Sequence, residues 1–128
     1  MHAINKVVLV EDDGSVRQAL ERVLRGAGYD VEAFESAESM QDSSPAVPLA
    51  ECCDCVVCDV RLPGLSGFEL HRRLADRGAL PPWIFITAHD DPTVRRQAQR
   101  DGAACLLKPF LGNALLSLLE QMLVKERK

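Results

Sequence analysis

Short apolar runs recur along the chain, and a segment with helical periodicity follows each of them. The apolar runs occupy residues 6–10, 56–58, 83–88 and 103–107, and residues 29–34 (YDVEAF) form a segment of alternating apolar and polar residues that also predicts a strand. After the first run, apolar residues return every three or four positions while charged residues fill the other face. Strands that alternate with helices form parallel sheets covered by helices on both faces. We therefore predict an α/β fold, with a doubly wound five-stranded parallel sheet and five helices.

The ends of the predicted helices carry recognisable signals. The segments 15–18 (SVRQ) and 66–69 (SGFE) match the capping box of a helix start. The pair at 91–92 is an aspartate before a proline, as at an N-cap and first helical position. Gly28 is placed to end the first helix. The stretch 41–51 contains two prolines and is predicted to be a loop.

Length and charge limit the class of protein. The chain has 128 residues, enough for one domain. We assign residues 1–124 to that domain and residues 125–128 to a tail or the start of a linker to an absent output domain. A net charge of −4 offers no basic surface for direct nucleic-acid binding. The N-terminus is typical of neither a signal peptide nor a membrane span, so we expect a cytoplasmic protein without membrane contact.

Four of the five cysteines are bunched within residues 52–58, and Cys105 stands alone. This spacing cannot join distant parts of a fold, so a disulfide framework is not expected. The C-x2-C-x2-C pattern resembles part of an iron–sulfur spacing. The alternative is that Cys58 and Cys55 are small core residues, because a buried strand precedes Asp59. In that case Cys52 and Cys53 are the reactive thiols.

Polar side chains follow four of the predicted strands: Glu11-Asp12-Asp13, Asp59, Thr87 and Lys108. The carboxyl ends of parallel strands share one edge of a sheet, where ligands bind. Clustered carboxylates repel each other, and a hard cation such as Mg²⁺ neutralises them. A hydroxyl and a lysine beside them suit the oxygens of a phosphoryl group. The pattern favours attack by a carboxylate on a phosphoryl group.

Four fragments resemble, in order and spacing, the response-regulator receiver domain of two-component signalling. They are VEDD (10–13), DVRLPGLSGFEL (59–70), ITAHDD (86–91) and LLKPF (106–110). The resemblance covers nearly all of the chain and implies a flavodoxin-like strand order, 2-1-3-4-5. It implies a phosphorylation-dependent switch that regulates transcription. Such a domain is not a conventional enzyme, although it catalyses its own phosphotransfer and dephosphorylation.

The resemblance also assigns a role to each residue at the strand ends. It implies that Asp59 accepts the phosphoryl group from a phosphohistidine of a sensor histidine kinase. The implied ligands of Mg²⁺ are Glu11, Asp12, Asp59 and the backbone carbonyl of Arg61. Thr87 and Lys108 correspond to the switch hydroxyl and the phosphate-binding lysine. The peptide bond between Lys108 and Pro109 matches one that is usually cis.

Each residue also has a plainer interpretation. Asp59 by itself is compatible with a turn, and Asp13 with a helix N-cap. His71 is predicted to be a solvated helix residue. His89 either tunes dephosphorylation or is a simple loop residue.

Three other functions remain as alternatives. A degenerate receiver would dock to partners without phosphorylation, but the complete acidic, threonine and lysine set argues against it. A flavin-binding electron carrier would need a phosphate-cradling loop where EDDGS (11–15) stands. A Mg²⁺-dependent phosphatase would need a second aspartate where Arg61 stands.

The chain departs from the family at Cys105, where receivers commonly carry a tyrosine or phenylalanine that moves with the switch. The residues of the phosphoryl chemistry are all present, so this difference concerns how the signal passes from the phosphorylation site to the surface. We expect a homodimer or an output domain to bind through the fourth and fifth helices. In the last helix, a core stripe is predicted for Leu111, Ala114, Leu115, Leu118, Leu119 and Met122. Leu116 and Leu123 fall beyond its edge, and either form an exposed contact surface or widen the core.

Overall fold

A computed structural model describes residues 5–43, 47–110 and 112–126. The strands are β1 (Lys6–Val10), β2 (Asp30–Phe34), β3 (Cys55–Asp59), β4 (Trp83–Thr87) and β5 (Ala104–Leu107). The helices are α1 (Gly14–Gly26), α2 (Ala37–Ser43), α3 (Gly67–Ala75), α4 (Pro92–Arg100) and α5 (Gly112–Glu126). A short 3₁₀ helix covers Leu49–Glu51. The predicted α/β alternation is confirmed.

The five strands form one parallel sheet in the order β2-β1-β3-β4-β5, as the resemblance implied. Successive side chains of a strand point to opposite faces, so each buried strand contributes to two core layers. One layer packs against α2, α3 and α4, and the other against α1 and α5. Trp83 and Phe85 fill the first layer, while Ile84 and Ile86 fill the second. The strand ends are thus held between two packed layers.

The helix starts were predicted with mixed success. Asp91 caps α4 with Pro92 in its first turn, and Ser66 opens α3 with a complete capping box. The capping box predicted at 15–18 is wrong, because the side chain of Asp13 accepts hydrogen bonds from the first-turn N–H groups of α1. This confirms the plainer interpretation of Asp13 as an N-cap.

The stretch 41–51 is more regular than predicted. Helix α2 extends through Ser43, and the 3₁₀ helix begins at Leu49. The predicted loop is therefore confined to the residues between these helices, of which 44–46 lie outside the described part of the chain. Helix α5 continues to Glu126, beyond the predicted domain end at 124.

The prediction that His71 is solvated is wrong, and of the two alternatives for Leu116 and Leu123 the structure favours the core. His71 packs edge-on against Trp83, with ring centroids 4.8 Å apart, and its side chain is 11% exposed. Leu123 is buried, and Leu116 packs against the core layer beneath α5. Leu116 and Leu123 therefore widen the core instead of forming an exposed line. Leu111 of the predicted stripe lies outside the described residues. Among the described helices, none has the length and apolar character needed to cross a membrane.

Candidate functional site

Three charged residues meet at the carboxyl edge of the sheet. Glu11 directly follows β1, Asp59 ends β3, and Lys108 directly follows β5. The Lys108 Nζ lies 2.5 Å from Glu11 Oε1 and 2.8 Å from Asp59 Oδ2. One ammonium thus donates hydrogen bonds to two carboxylates from neighbouring strands, which the sequence predicted to lie close together.

The two carboxylates that contact Lys108 are withdrawn from solvent. The side chains of Glu11 and Asp59 are 1% and 8% exposed, and that of Lys108 is 21% exposed. Burial raises the pKa of Glu11, and the hydrogen bond from Lys108 opposes that shift only in part. Burial also disfavours the charged form of Lys108, but the hydrogen bonds to Asp59 and Glu11 outweigh it and raise its pKa. Lys108 therefore stays charged and balances the two buried acids.

Backbone groups hold the remaining carboxylate oxygens. The N–H of Asp13 donates to Glu11 Oε2 at 3.1 Å, and the N–H of Arg61 donates to Asp59 Oδ1 at 3.0 Å. The guanidinium of Arg17 donates to the backbone carbonyl of Glu11 at 2.9 Å. Both carboxylates are consequently fixed in orientation before any ligand binds.

The acidic cluster has the composition of a hard-cation site. Carboxylate oxygens of Glu11, Asp12 and Asp59 all lie within 4.8 Å of one another, and within the described ranges this is the one group of His, Cys, Asp or Glu side chains that meets this spacing. Asp12 is exposed while the other two are buried, so the site opens to water on one side. Mg²⁺ binds few carboxylates and keeps several waters, so these residues fit it.

Thr87 and Arg61 adjoin the cluster through their backbones. The N–H of Lys108 donates to the carbonyl of Thr87 at 2.7 Å. The Thr87 hydroxyl is buried with its residue and accepts a hydrogen bond from the N–H of His89 at 3.1 Å. The contact of Arg61 with Asp59 is made by its N–H, and a metal-binding role for its carbonyl stays a prediction. The peptide bond between Lys108 and Pro109 is cis, as the resemblance implied.

Sequence reasoning missed two residues that shape the loop after Asp59. Gly67 lies so close to the strand end that an added Cβ would be 2.3 Å from the Asp59 carbonyl oxygen. Glu38, on α2, accepts a hydrogen bond from the N–H of Leu65 at 3.0 Å. Gly67 could have been noticed from the sequence, because it lies within the segment DVRLPGLSGFEL (59–70). No local pattern pointed to Glu38, because it lies 27 positions before Leu65 in the sequence.

The cysteines belong to the core and not to a metal site. All five are free, and Cys55 and Cys58 are completely buried. They lie in opposite core layers, so they cannot share one metal ion, and the iron–sulfur alternative is wrong. Burial raises the pKa of Cys53 and of Cys55 to about 12. The prediction that Cys53 is reactive is therefore wrong, while Cys52 is partly exposed.

Comparison with known proteins agrees with this geometry. Residues 7–120 match the family model of the response regulator receiver domain. The chain is 39% identical to nodulation protein W of Bradyrhizobium diazoefficiens over 95% of this chain and 52% of that protein. It is 38% identical to the C4-dicarboxylate transport transcriptional regulatory protein DctD of Pseudomonas aeruginosa, over 98% of this chain and 26% of that protein.

A solved structure gives the same result at the level of the whole domain. The response regulator receiver protein from Burkholderia phymatum superposes with a TM-score of 0.79 at 42% identity, covering 93% of this chain and 94% of that one. The chain thus spans about half the length of nodulation protein W, but nearly all of a receiver domain. Because the family model matches most of the chain and the fold and strand-end residues agree with it, the chain belongs to the response regulator receiver domain family.

Proposed function

We propose that this domain is a phosphorylation-dependent switch in which Asp59 accepts a phosphoryl group from a phosphohistidine of a sensor histidine kinase. The observation that carries the proposal is the contact of Lys108 with both Asp59 and Glu11 at the carboxyl edge of the sheet. In this arrangement the Asp59 carboxylate can attack phosphorus, while the Lys108 ammonium and a cation held by the acidic residues neutralise the phosphoryl oxygens.

In the proposed reaction, a carboxylate oxygen of Asp59 attacks phosphorus. The new P–O bond forms as the P–N bond to the donor histidine breaks, and the released imidazole takes a proton from solvent. Arg61 keeps the Asp59 side chain oriented through its N–H. Lys108 then donates its hydrogen bond to a phosphoryl oxygen instead of to the Asp59 carboxylate. Its positive charge thereby balances the phosphoryl group in place of the carboxylate.

Glu11, Asp12, Asp59 and the Arg61 carbonyl would hold Mg²⁺, which when bound neutralises charge on the phosphoryl oxygens. The Thr87 hydroxyl, which accepts a hydrogen bond from the His89 N–H, would turn to donate its own O–H to a phosphoryl oxygen. That rotation of the Thr87 side chain is the first movement by which phosphorylation would reach the surface. Hydrolysis of the acyl phosphate, catalysed by the same residues, returns the domain to its starting state.

The output in this proposal is regulation of transcription through a second part of a longer regulator. The support is that DctD, which shares 38% identity with this chain, is by its name a transcriptional regulatory protein, and that this chain matches about a quarter of its length. We propose residues 1–124 as the receiver, and residues 125–128, of which the first two still belong to α5, as the tail or linker towards an output domain. The interacting surface, for a homodimer or for that output domain, would involve α4 and α5. The setting would be the cytoplasm, where kinases draw on ATP.

Phosphorylation of Asp59 is tested by incubating the protein with Mg²⁺ and phosphoramidate, followed by intact-mass and peptide mass spectrometry. We expect one added phosphoryl group on the wild type and none on Asp59→Asn. Asp12→Ala should need more Mg²⁺ for half-maximal labelling, because one hard ligand is lost. Labelling of Asp59→Asn at the wild-type rate would refute the assignment, and an unchanged Mg²⁺ requirement in Asp12→Ala would place the metal elsewhere.

A further inference from the structure

A contact between α2 and the loop after Asp59 lies outside the set of residues that perform the proposed chemistry. Glu38 belongs to the first turn of α2. Its Oε2 accepts a hydrogen bond from the backbone N–H of Leu65 at 3.0 Å. Leu65 lies in the loop that joins Asp59 to α3, and this same loop contains the Arg61 backbone proposed to contribute to the metal site.

The loop is shaped to receive this carboxylate. Gly64 has a φ of +78°, a backbone conformation that residues other than glycine rarely adopt. A Cβ on Gly64 would lie 2.2 Å from Glu38 Oε2. Gly64 is therefore required twice, because it supplies the left-handed turn and leaves the space that Glu38 occupies. A side chain at this position would displace either the turn or the carboxylate.

The electrostatics favour an ionised Glu38 in this position. The hydrogen bond from Leu65 lowers the pKa of the Glu38 carboxyl, and the backbone N–H of Glu38 itself and the charge of Arg73 on α3 act in the same direction. The second oxygen, Oε1, is buried and lacks a hydrogen-bond partner among the described residues. The carboxylate therefore stays ionised in this position, and the hydrogen bond from Leu65 is the largest contribution to that state.

Other contacts hold the loop near Asp59 and α3. The Arg61 N–H donates to Asp59 Oδ1, the Gly67 N–H donates to the Val60 carbonyl at 2.9 Å, and Gly67 packs against the Asp59 carbonyl. These contacts lie at the two ends of the loop. Glu38 holds Leu65, close to the end of the loop that precedes α3, and it does so from a different helix.

We infer that Glu38 is a positioning residue, which fixes the loop 60–66 from α2 and thereby sets the Arg61 backbone beside Asp59. The inference rests on the proposed function for its consequence, and on the Glu38–Leu65 contact for its mechanism. Glu38 does not touch the reacting atoms. It acts by limiting the positions that the loop can adopt when the metal and the phosphoryl group arrive.

The first experiment measures the loop without metal or phosphoryl donor. Amide hydrogen exchange, followed by NMR, reports the protection of the Leu65 N–H in the wild type and in Glu38→Ala, Glu38→Gln and Asp42→Ala. Asp42 is an exposed acid on the same helix and serves as the matched control. We expect Leu65 to exchange roughly tenfold faster in Glu38→Ala, since a hydrogen bond to a charged group is lost. Glu38→Gln should retain most of the protection because its amide oxygen can accept the same bond, and Asp42→Ala should match the wild type.

The second experiment measures the Mg²⁺ concentration for half-maximal labelling by phosphoramidate. Glu38→Ala should raise it several-fold to about tenfold, Glu38→Gln should largely restore it, and Asp42→Ala should leave it unchanged. If Glu38→Ala lowers the melting temperature but changes neither the Leu65 exchange nor the Mg²⁺ requirement, the residue is only structural and the inference is overturned. If the wild type fails to label, the proposed function fails, and the exchange of Leu65 alone decides whether Glu38 holds the loop.

Discussion

Replacing Lys108 by methionine tests whether this lysine is the counter-ion of the two buried acids. Methionine keeps most of the length of the side chain and removes its charge. The substitution leaves Glu11 and Asp59, which are 1% and 8% exposed, without their ammonium partner. Lys6 offers a matched control, because its Nζ lies 2.9 Å from Glu32 Oε1 in a pair whose side chains are 36% and 48% exposed.

The burial of the acids sets the size of the expected effect. Removing one partner of a fully buried ion pair costs about 3–5 kcal/mol, whereas an exposed pair contributes about 0–1 kcal/mol. Because Lys108 itself is 21% exposed, we discount the buried figure for solvent screening and expect a loss of about 2–3 kcal/mol. For a domain of this size that corresponds to a fall in melting temperature on the order of 10 °C. Lys6→Met should lose less than about 1 kcal/mol.

Urea unfolding at pH 7 in EDTA measures both variants against the wild type. In 1 M NaCl, where the Debye length is about 3 Å, the small effect of Lys6→Met should vanish and that of Lys108→Met should largely remain. The loss caused by Lys108→Met should also shrink as the pH falls. Burial raises the folded-state pKa of Glu11, so Glu11 takes up a proton on acidification and no longer needs a counter-ion. Equal losses for the two lysine variants would refute the reasoning, as would a loss for Lys108→Met that grows on acidification.

Two further predictions concern residues away from the proposed chemistry. Desolvation lowers the pKa of His71 below its ordinary 6.5, and the charge of Asp101 opposes this shift in part. The stability that neutral His71 contributes above pH 6.5 is therefore lost as the pH falls through its folded-state pKa. His71→Gln should therefore flatten the decline in urea-unfolding free energy between about pH 7.5 and pH 5, and a decline as steep as in the wild type would contradict this. Iodoacetamide at mildly alkaline pH should modify Cys52 in the native protein and reach Cys53 and Cys55 only after unfolding, because burial raises the pKa of both thiols to about 12. Peptide mapping checks this order, and equal rates for Cys52 and Cys53 would contradict it.

The strands and the residues at their ends were predictable because both depend on patterns that are local in the sequence. A run such as WIFIT is apolar on both faces, and such a strand is stable only between two layers of helices. Once the sheet is parallel, geometry alone brings Glu11, Asp59 and Lys108 to one edge. The sequence therefore predicts which side chains meet, although they lie far apart along the chain.

Contacts that depend on the exact path of a loop were not predictable in this way. The choice of Asp13 over Ser15 as the cap of α1 shifts the helix start slightly, and both residue types cap helices well. The bond between Glu38 and Leu65 requires the left-handed turn at Gly64 and the position of α2 to be known together. Neither feature leaves a periodic signal.

The burial of Leu116 and Leu123 has a related cause. A helical wheel assumes that one stripe of a helix faces one flat layer, but α5 packs against both the sheet and α1. A Cβ on Gly112 would lie 3.0 Å from a methyl group of Val23, which shows how closely the start of α5 approaches α1. At the other end, Leu123 reaches the amino edge of the sheet and lines a small cavity beside Pro81 and Pro82.

A helix in such a groove buries a wider arc than the wheel allows, so both leucines belong to its core. Charges at these two positions would then act on folding and not on partner binding. The exposed apolar residue of α5 is instead Val124, among the described residues of that helix. It lies beside Ser117, Glu120 and Gln121, which line a shallow open surface with it. A substitution that separates partner binding from folding should therefore be made at Val124, where an added charge meets solvent and leaves the core beneath α5 intact.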